Sequence, residues 1–169
     1  MSNNVIRKAI QKVATGPEFS KNISEEESYD TMMDILDNES DSIQAAIYLI
    51  AMRMKRETME ENIGSLKALI DRSNIITANV DELLDIAEPY NGFLRNTPLS
   101  AFLPAVFSAI GIPCLTHGVN TVGPKFGLTA KKILKASGVN VNNDLQAASD
   151  FLSNENIGWT YIDQEKFCK

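Results

Sequence analysis

Over the first 73 residues the apolar positions recur every three or four residues, the spacing that lines one side of an α-helix. Ile6, Ala9, Ile10 and Val13 predict a helix over 3–15, closed by Gly16 and Pro17. Ser24 followed by Glu27 is a capping box, in which the serine oxygen accepts from a free first-turn amide and the glutamate reaches back. The helix it opens runs to about Asp37, with Tyr29, Met32, Met33 and Leu36 expected on its inner face. Asp41 and Gln44 repeat the signal before a run that is apolar nearly all round until Arg53, which predicts a central, buried helix. Thr58 and Glu61 form a further cap, opening a helix through Leu66, Leu69 and Ile70. Short connections between these helices predict a helical bundle over 1–73.

Around Asp81 the texture changes. Residues 83–87 read as a short buried strand, and 112–117 and 159–163 as two more. Thr97 and Pro98 form a helix start, with Thr97 as N-cap and Pro98 in the first turn. That helix ends at Gly111, and Pro104 is placed to kink it. Thr129 caps a helix to Ala136, and Asn143 with Gln146 marks another ending near Ser153. Strands alternating with helices imply parallel strands joined by crossovers. The predicted fold class is α/β and predominantly helical: a helical bundle over 1–73, then the first strands and helices of a parallel-sheet α/β domain over 81–169.

Charge sharpens one stretch. The chain of 169 residues carries a formal charge of −6, which argues against a general nucleic-acid binder. Yet from Pro89 to Asn143 there is no Asp or Glu, while Arg95, Lys125, Lys131, Lys132 and Lys135 fall there. Residues 88–127 hold the only histidine, His117, and five of the nine glycines. Two cysteines are too few for a disulfide framework; Cys114, after Pro113 in an apolar run, reads as a buried structural thiol. The expected location is a reducing cytoplasm, with no signal peptide and no membrane-spanning stretch.

In a parallel sheet, ligands sit outside the carboxyl ends of the strands. Asn91, Gly92, Arg95, Asn96 and Thr97 lie before a predicted helix N-terminus, whose free amides and dipole favour an anion. His117 ends a strand and precedes Gly118, so it is expected to face the crevice. Lys125 stands between Pro124 and Gly127, in a loop suited to close backbone approach. A plain surface turn and a structural histidine would give the same pattern. One histidine and scattered carboxylates make no zinc site, and neither the phosphate-loop nor the dinucleotide glycine pattern is present.

The segment 37–69 resembles the N-terminal helical domain of the anthranilate phosphoribosyltransferase and pyrimidine nucleoside phosphorylase family, the glycosyltransferase family 3 enzymes. Ala51-Met52-Arg53-Met54-Lys55-Arg56-Glu57-Thr58 matches the turn between two of that domain's helices. Residues 110–141 are similar to the family's histidine–glycine loop, its second, lysine-containing loop and the helix that follows. The resemblance covers most of 24–141 in the right order. It implies phosphoribosyl transfer from phosphoribosyl pyrophosphate to anthranilate, assisted by magnesium, in tryptophan biosynthesis. By position, His117 and Gly118 match the loop near the aromatic acceptor, and Asn120 stands in for its asparagine, displaced by Val119. Asn96 and Thr97 fall where the family binds phosphate at a helix start, and Lys125 falls near the lysine of the second loop.

The departures are specific. The family's glycine-rich pyrophosphate loop is replaced by Ala87-Glu88-Pro89-Tyr90-Asn91-Gly92, and the lysine before the histidine is Thr116. The family's acidic metal-binding pair would lie beyond Lys169. The ending, with Asp163, Gln164, Phe167 and Cys168, looks like a divergent branch that includes nucleic-acid binders. The expectation is therefore an anthranilate phosphoribosyltransferase-like protein that is inactive as this 169-residue chain. No catalytic residue and no metal ligand is assigned, and magnesium enters only if a missing half is supplied. The alternatives are a non-catalytic binder of nucleic acid or another polyanion, and a dimerisation module. The expected partners are phosphoribosyl pyrophosphate or another anion and a second copy of the chain. Ile43, Ile47, Leu49, Ile50 and Met54 offer the copy more apolar surface than one bundle needs.

Overall fold

The computed structural model describes residues 5–88 and 92–167. The chain forms two units, Met1–Ser73 and Asn74–Lys169. The first holds α1 (Val5–Val13), α2 (Glu25–Leu36), α3 (Ser42–Lys55) and α4 (Met59–Asp71). Each of the last three starts on a sequence-legible cap. Ser24 and Thr58 form reciprocal capping boxes with Glu27 and Glu61, and Asp41 accepts from the amides of Ile43 and Gln44.

The faces these helices bury differ from those expected. The main contact in this unit runs along α2 and α4, and it is a seam of small residues: Ser28 and Thr31 against Gly64 and Ala68. A Cβ on Gly64 would lie 2.2 Å from the carbonyl oxygen of Glu25, so the two backbones approach as only glycine allows. Ser28 Oγ donates to the carbonyl of Glu61 at 2.7 Å, which satisfies the hydroxyl inside the seam. Tyr29, Met32, Met33 and Leu36 are only half-buried, and Leu66, Leu69 and Ile70 are exposed. Helix α3 is not buried all round: Tyr48 and Met52 pack with Ile6, Ala9, Val13 and Ile23, while Ile43, Ile47, Leu49, Ile50 and Met54 are exposed.

A buried ion pair ties the α3–α4 turn. Glu61 is fully buried and accepts from Lys55 Nζ at 2.7 Å, the amide of Thr58 at 2.7 Å and the amide of Ile23 at 2.9 Å. Lys55 sits in the last turn of α3 and Glu61 in the first turn of α4, each at the helix end whose dipole favours its charge. Burial pushes the Glu61 carboxyl up, but Lys55 and the two amides outweigh it and hold it below the usual carboxylate range.

The second unit is a three-stranded parallel sheet, β1 (Leu84–Ile86), β2 (Cys114–Gly118) and β3 (Trp159–Asp163), in the order β1-β2-β3. The α/β class expected from the alternating pattern is the one observed. A 3₁₀ turn (Leu99–Phe102) and α5 (Leu103–Ala109) connect β1 to β2; α6 (Ala130–Ala136) and α7 (Leu145–Ser153) connect β2 to β3. A four-residue helix, α8 (Gln164–Phe167), follows β3. Cys114 is fully buried, and burial together with the Asp85 charge pushes its thiol up, as suits a structural residue. The core on one sheet face joins Tyr161 to Ala101, Ile133, Leu134 and Val141.

Local details depart from the sequence reading for physical reasons. Thr97 is exposed and caps nothing; Pro98 takes the N-cap position with no side-chain bond, and the chain enters a 3₁₀ turn. Pro104 does not kink a long helix; it lies in the first turn of α5, where its missing N–H costs nothing. Asp144, not Asn143, caps α7. Asn143 is buried and bonds Asn140 and Thr160 instead.

Glu61→Ala leaves the Lys55 ammonium buried without its carboxylate and is expected to destabilise the protein by roughly 3–5 kcal/mol in denaturant unfolding. Because the folded-state pKa of Glu61 is depressed, its contribution is present above the unfolded carboxylate range and is lost as the pH falls through the folded value. Wild type is expected to lose stability on acidification more steeply than Glu61→Ala. Parallel pH profiles would count against the pair.

Candidate functional site

All three strands run the same way, so their carboxyl ends share one edge. Two loops leave that edge and are stapled together. Phe93 and Leu128 form an isolated antiparallel bridge, each amide donating to the other's carbonyl at 2.8 Å. Beside it Gly92 is buried against Gly127: a Cβ on Gly92 would lie 2.7 Å from the Gly127 backbone, and one on Gly127 would lie 2.6 Å from the carbonyl oxygen of Phe93. Gly92 also has φ +96°, a left-handed conformation that other residues adopt at a cost. Thr129 closes the second loop from inside, its Oγ1 donating to the carbonyl of Asn120 at 3.3 Å while accepting from the Lys132 amide.

The residues singled out in the sequence fall into three groups. Gly92, His117 and Gly118 sit on the inner edge, buried or half-buried. Arg95, Asn96, Thr97, Asn120 and Lys125 lie on the outer surface of the same two loops, all exposed. Asn91 lies outside the described residues. The α5 helix begins at Leu103 and has seven residues, so the anion site expected at a Thr97-capped helix start is not formed.

His117 has two close neighbours. Its Nε2 is 3.6 Å from Asp85 Oδ1 on β1, and the Phe167 ring stands edge-on at 5.9 Å. Its Nδ1 is buried and has no hydrogen-bond partner among the described residues. Side-chain alternation along β2 sends the imidazole to the sheet face opposite Thr116 and its register partner Tyr161. The ring thus belongs to one face, and the cavity beside Tyr161 to the other.

The uniformly basic crevice suggested by the sequence is not what the fold builds. Lys131 is buried and paired with Asp163 at the end of β3. Lys132 Nζ donates to the carbonyl of Gly127 at 3.0 Å and so braces the stapled loop. Lys135 is exposed in the last turn of α6. On the two loops themselves the cations are Arg95 and Lys125. Glu88 brings a negative charge to the mouth, and its Oε1 accepts from Ser100 Oγ at 2.5 Å.

Sequence reasoning missed three contributors: Lys131 as a neutralised core cation, Asp163 as its partner, and Tyr161. The alternation of Trp159, Tyr161 and Asp163 along β3 was the available signal that these three share a face. Among the described residues no group of three or more His, Cys, Asp or Glu side chains is placed to hold a metal ion. The described residues therefore offer no such cluster for the magnesium that the resemblance implies.

Residues 7–73 match the family described as glycosyl transferase family, helical bundle domain. An anthranilate phosphoribosyltransferase of Methanobrevibacter smithii is 31% identical over 154 residues, covering 90% of this chain and 44% of the relative. One of Methanothermobacter thermautotrophicus is 32% identical over 142 residues, covering 83% and 40%. Among solved structures, anthranilate phosphoribosyltransferase from Thermus thermophilus superposes with a TM-score of 0.75 at 21% identity, over 98% of this chain and 46% of that one. The chain spans less than half the length of each of these proteins.

Gly92→Ala forces a Cβ into the Gly127 backbone and is expected to lower stability by roughly 1–3 kcal/mol. Its amide spectrum should change at Phe93 and Leu128 together, since the bridge and the glycine contact form one unit. A change confined to residue 92 and its chain neighbours would show that the loops are independent.

Proposed function

Because the chain belongs to the anthranilate phosphoribosyltransferase-like glycosyl transferase family, matching the N-terminal helical domain and the start of the α/β domain, we propose that its stapled loops bind the phosphate-bearing part of a phosphoribosyl donor. The observation that carries this is the Gly92–Gly127 contact with its Phe93–Leu128 bridge. Two loops from two strand ends are held as one surface, with Arg95, Asn96, Thr97 and Lys125 on its solvent side. An anion there meets two cations and is not drawn into the closed interior. His117 and Asn120 are assigned to an aromatic acid, His117 by its position against Asp85 and Phe167.

Transfer itself needs the leaving pyrophosphate to be stabilised by backbone amides or metal. In this chain Glu88 occupies the first-loop position, hydrogen-bonded to Ser100, and no carboxylate cluster for a metal is formed among the described residues. The 169-residue chain is therefore assigned ligand binding without turnover. Calorimetry is expected to show pyrophosphate binding to wild type, weakened at least several-fold in Lys125→Ala. Mixing the chain with phosphoribosyl pyrophosphate, anthranilate and magnesium should give no phosphoribosyl anthranilate above background. Equal pyrophosphate binding in the two proteins removes Lys125 from the site. Steady product formation, abolished by His117→Ala, replaces the binding reading with an enzymatic one.

A second copy of the chain is the proposed partner of the bundle. Ile43, Ile47, Ile50 and Met54 recur at spacings of four, three and four residues along α3 and are all exposed. Ile47, Ile50 and Met54, with Val13, Gly16 and Pro17, also line a groove of about 410 Å³. This is more apolar surface in one row than a lone bundle leaves in water. Sedimentation at micromolar concentration is expected to show a dimer that Ile50→Lys converts to monomer. A wild-type monomer across the whole range would end this assignment.

A further inference from the structure

Two rows of exposed apolar side chains stand on different units of the chain. On α3 the row is Ile43, Ile47, Ile50 and Met54, and its last three members form one wall of the groove completed by Val13, Gly16 and Pro17. The second row runs along the 3₁₀ turn and α5: Leu99 is 74% exposed, Leu103 39%, Val106 56% and Ile110 68%. The packed side of the same element holds Ala101 and Pro104, both buried. Four large aliphatic side chains left in water along one short element mark an interaction surface. Both rows advance by four, three and four residues, so two such elements can lie side by side in register.

Charge selects the occupant and its direction. At its Ile110 end the α5 row adjoins a groove that Ser108 and Gly111 share with Asp81, Glu82 and Glu155. The three carboxylates are exposed, and no Lys or Arg is among the described residues that line this groove. At its other end Leu99 follows the exposed Arg95 by four residues. A row that fits here carries cations at one end and an acid at the other. The α3 row has that polarity. Arg53 and Arg56, both exposed, flank Met54 at its carboxyl end, and the Asp41 carboxylate caps its amino end. Laid parallel, α3 and α5 present opposite charges to each other at both ends. Laid antiparallel, Asp41 would meet Asp81, Glu82 and Glu155. Shape agrees with charge. The α3 row borders a concave groove of about 410 Å³, and a groove is filled by a ridge. The α5 row supplies a ridge, whereas a second α3 would bring another groove.

We propose that in a dimer of this chain α3 of each copy lies parallel along α5 of the other, with Ile50 opposite Val106. The inference rests on the reading of a second copy as the partner of the bundle, and it names the surface that receives α3. The two rows differ, so a two-fold axis makes the contact twice, from each copy to the other.

Sedimentation velocity of the full chain at micromolar concentration, on wild type, Ile50→Lys and Val106→Glu, tests it. Val106 is exposed, so its replacement leaves the core of its unit untouched. Wild type is expected to dimerise, and Val106→Glu to weaken the dimer at least roughly tenfold, as Ile50→Lys does. A cross-link locates the contact independently. The Ile50→Cys chain is mixed with the Val106→Cys chain, the mixture is oxidised, and the disulfides are mapped by peptide mass. The expected product joins position 50 of one chain to position 106 of the other. A Val106→Glu dimer as tight as wild type, or a mixture joined through position 50 on both chains or lacking the 50-to-106 link, overturns the inference and leaves the bundle as the dimer surface. A wild-type monomer across the whole range ends both readings. If Val106→Glu does not fold, the cross-link alone decides.

Discussion

The second unit depends on one place where two backbones touch without side chains. Gly92 and Gly127 lie so close that a Cβ on either would sit within 2.7 Å of the other loop. Parallel strands bring their carboxyl ends to one edge, but they do not fix the loops beyond it. The glycine contact and the Phe93–Leu128 bridge do. Once the loops are joined, Thr129 and Lys132 at the start of α6 brace the second from within, through the carbonyls of Asn120 and Gly127. Side chains on either loop are then positioned by the same short piece of backbone. Substitution at either glycine therefore acts on both loops.

Local signals in the chain were legible because their physics is local. A serine or threonine three residues before a glutamate satisfies free amides within one turn, and both such boxes form around α2 and α4. The alternation of strand and helix gave the α/β class for the same reason. The faces were harder to read. Helix α3 carries apolar residues all round, so periodicity offers no direction, and only Tyr48 and Met52 are enclosed. On α2 and α4 the largest apolar residues drew attention, yet the tightest packing uses the smallest ones. Ser28, Gly64 and Ala68 allow backbone approach, which composition-weighted patterns undervalue.

Charge was misread because pairing is non-local. The run from 89 to 143 has no acid, and Lys131 looks like part of a basic patch. The strand that follows α7 returns Asp163 to it, beyond the acid-free run. Two cations that sequence credits to the crevice, Lys131 and Lys132, are committed to a carboxylate and a carbonyl. Thr97 failed as a cap for a similar reason. Proline follows it, takes the N-cap position itself, and leads into a 3₁₀ turn rather than an α-helix.

The buried groups of the second unit separate what the site holds from what it excludes. An ammonium that is 8% exposed is tolerated next to the cavity only because Asp163 answers it. With that pair closed, Lys131 is no longer available to neutralise an incoming phosphate without stranding Asp163. Glu88 adds a negative charge on the inner side, while Arg95 and Lys125 stand on the outer side of the loops. The result is an electrostatic gradient across a few residues of backbone, with cations outside and a carboxylate within.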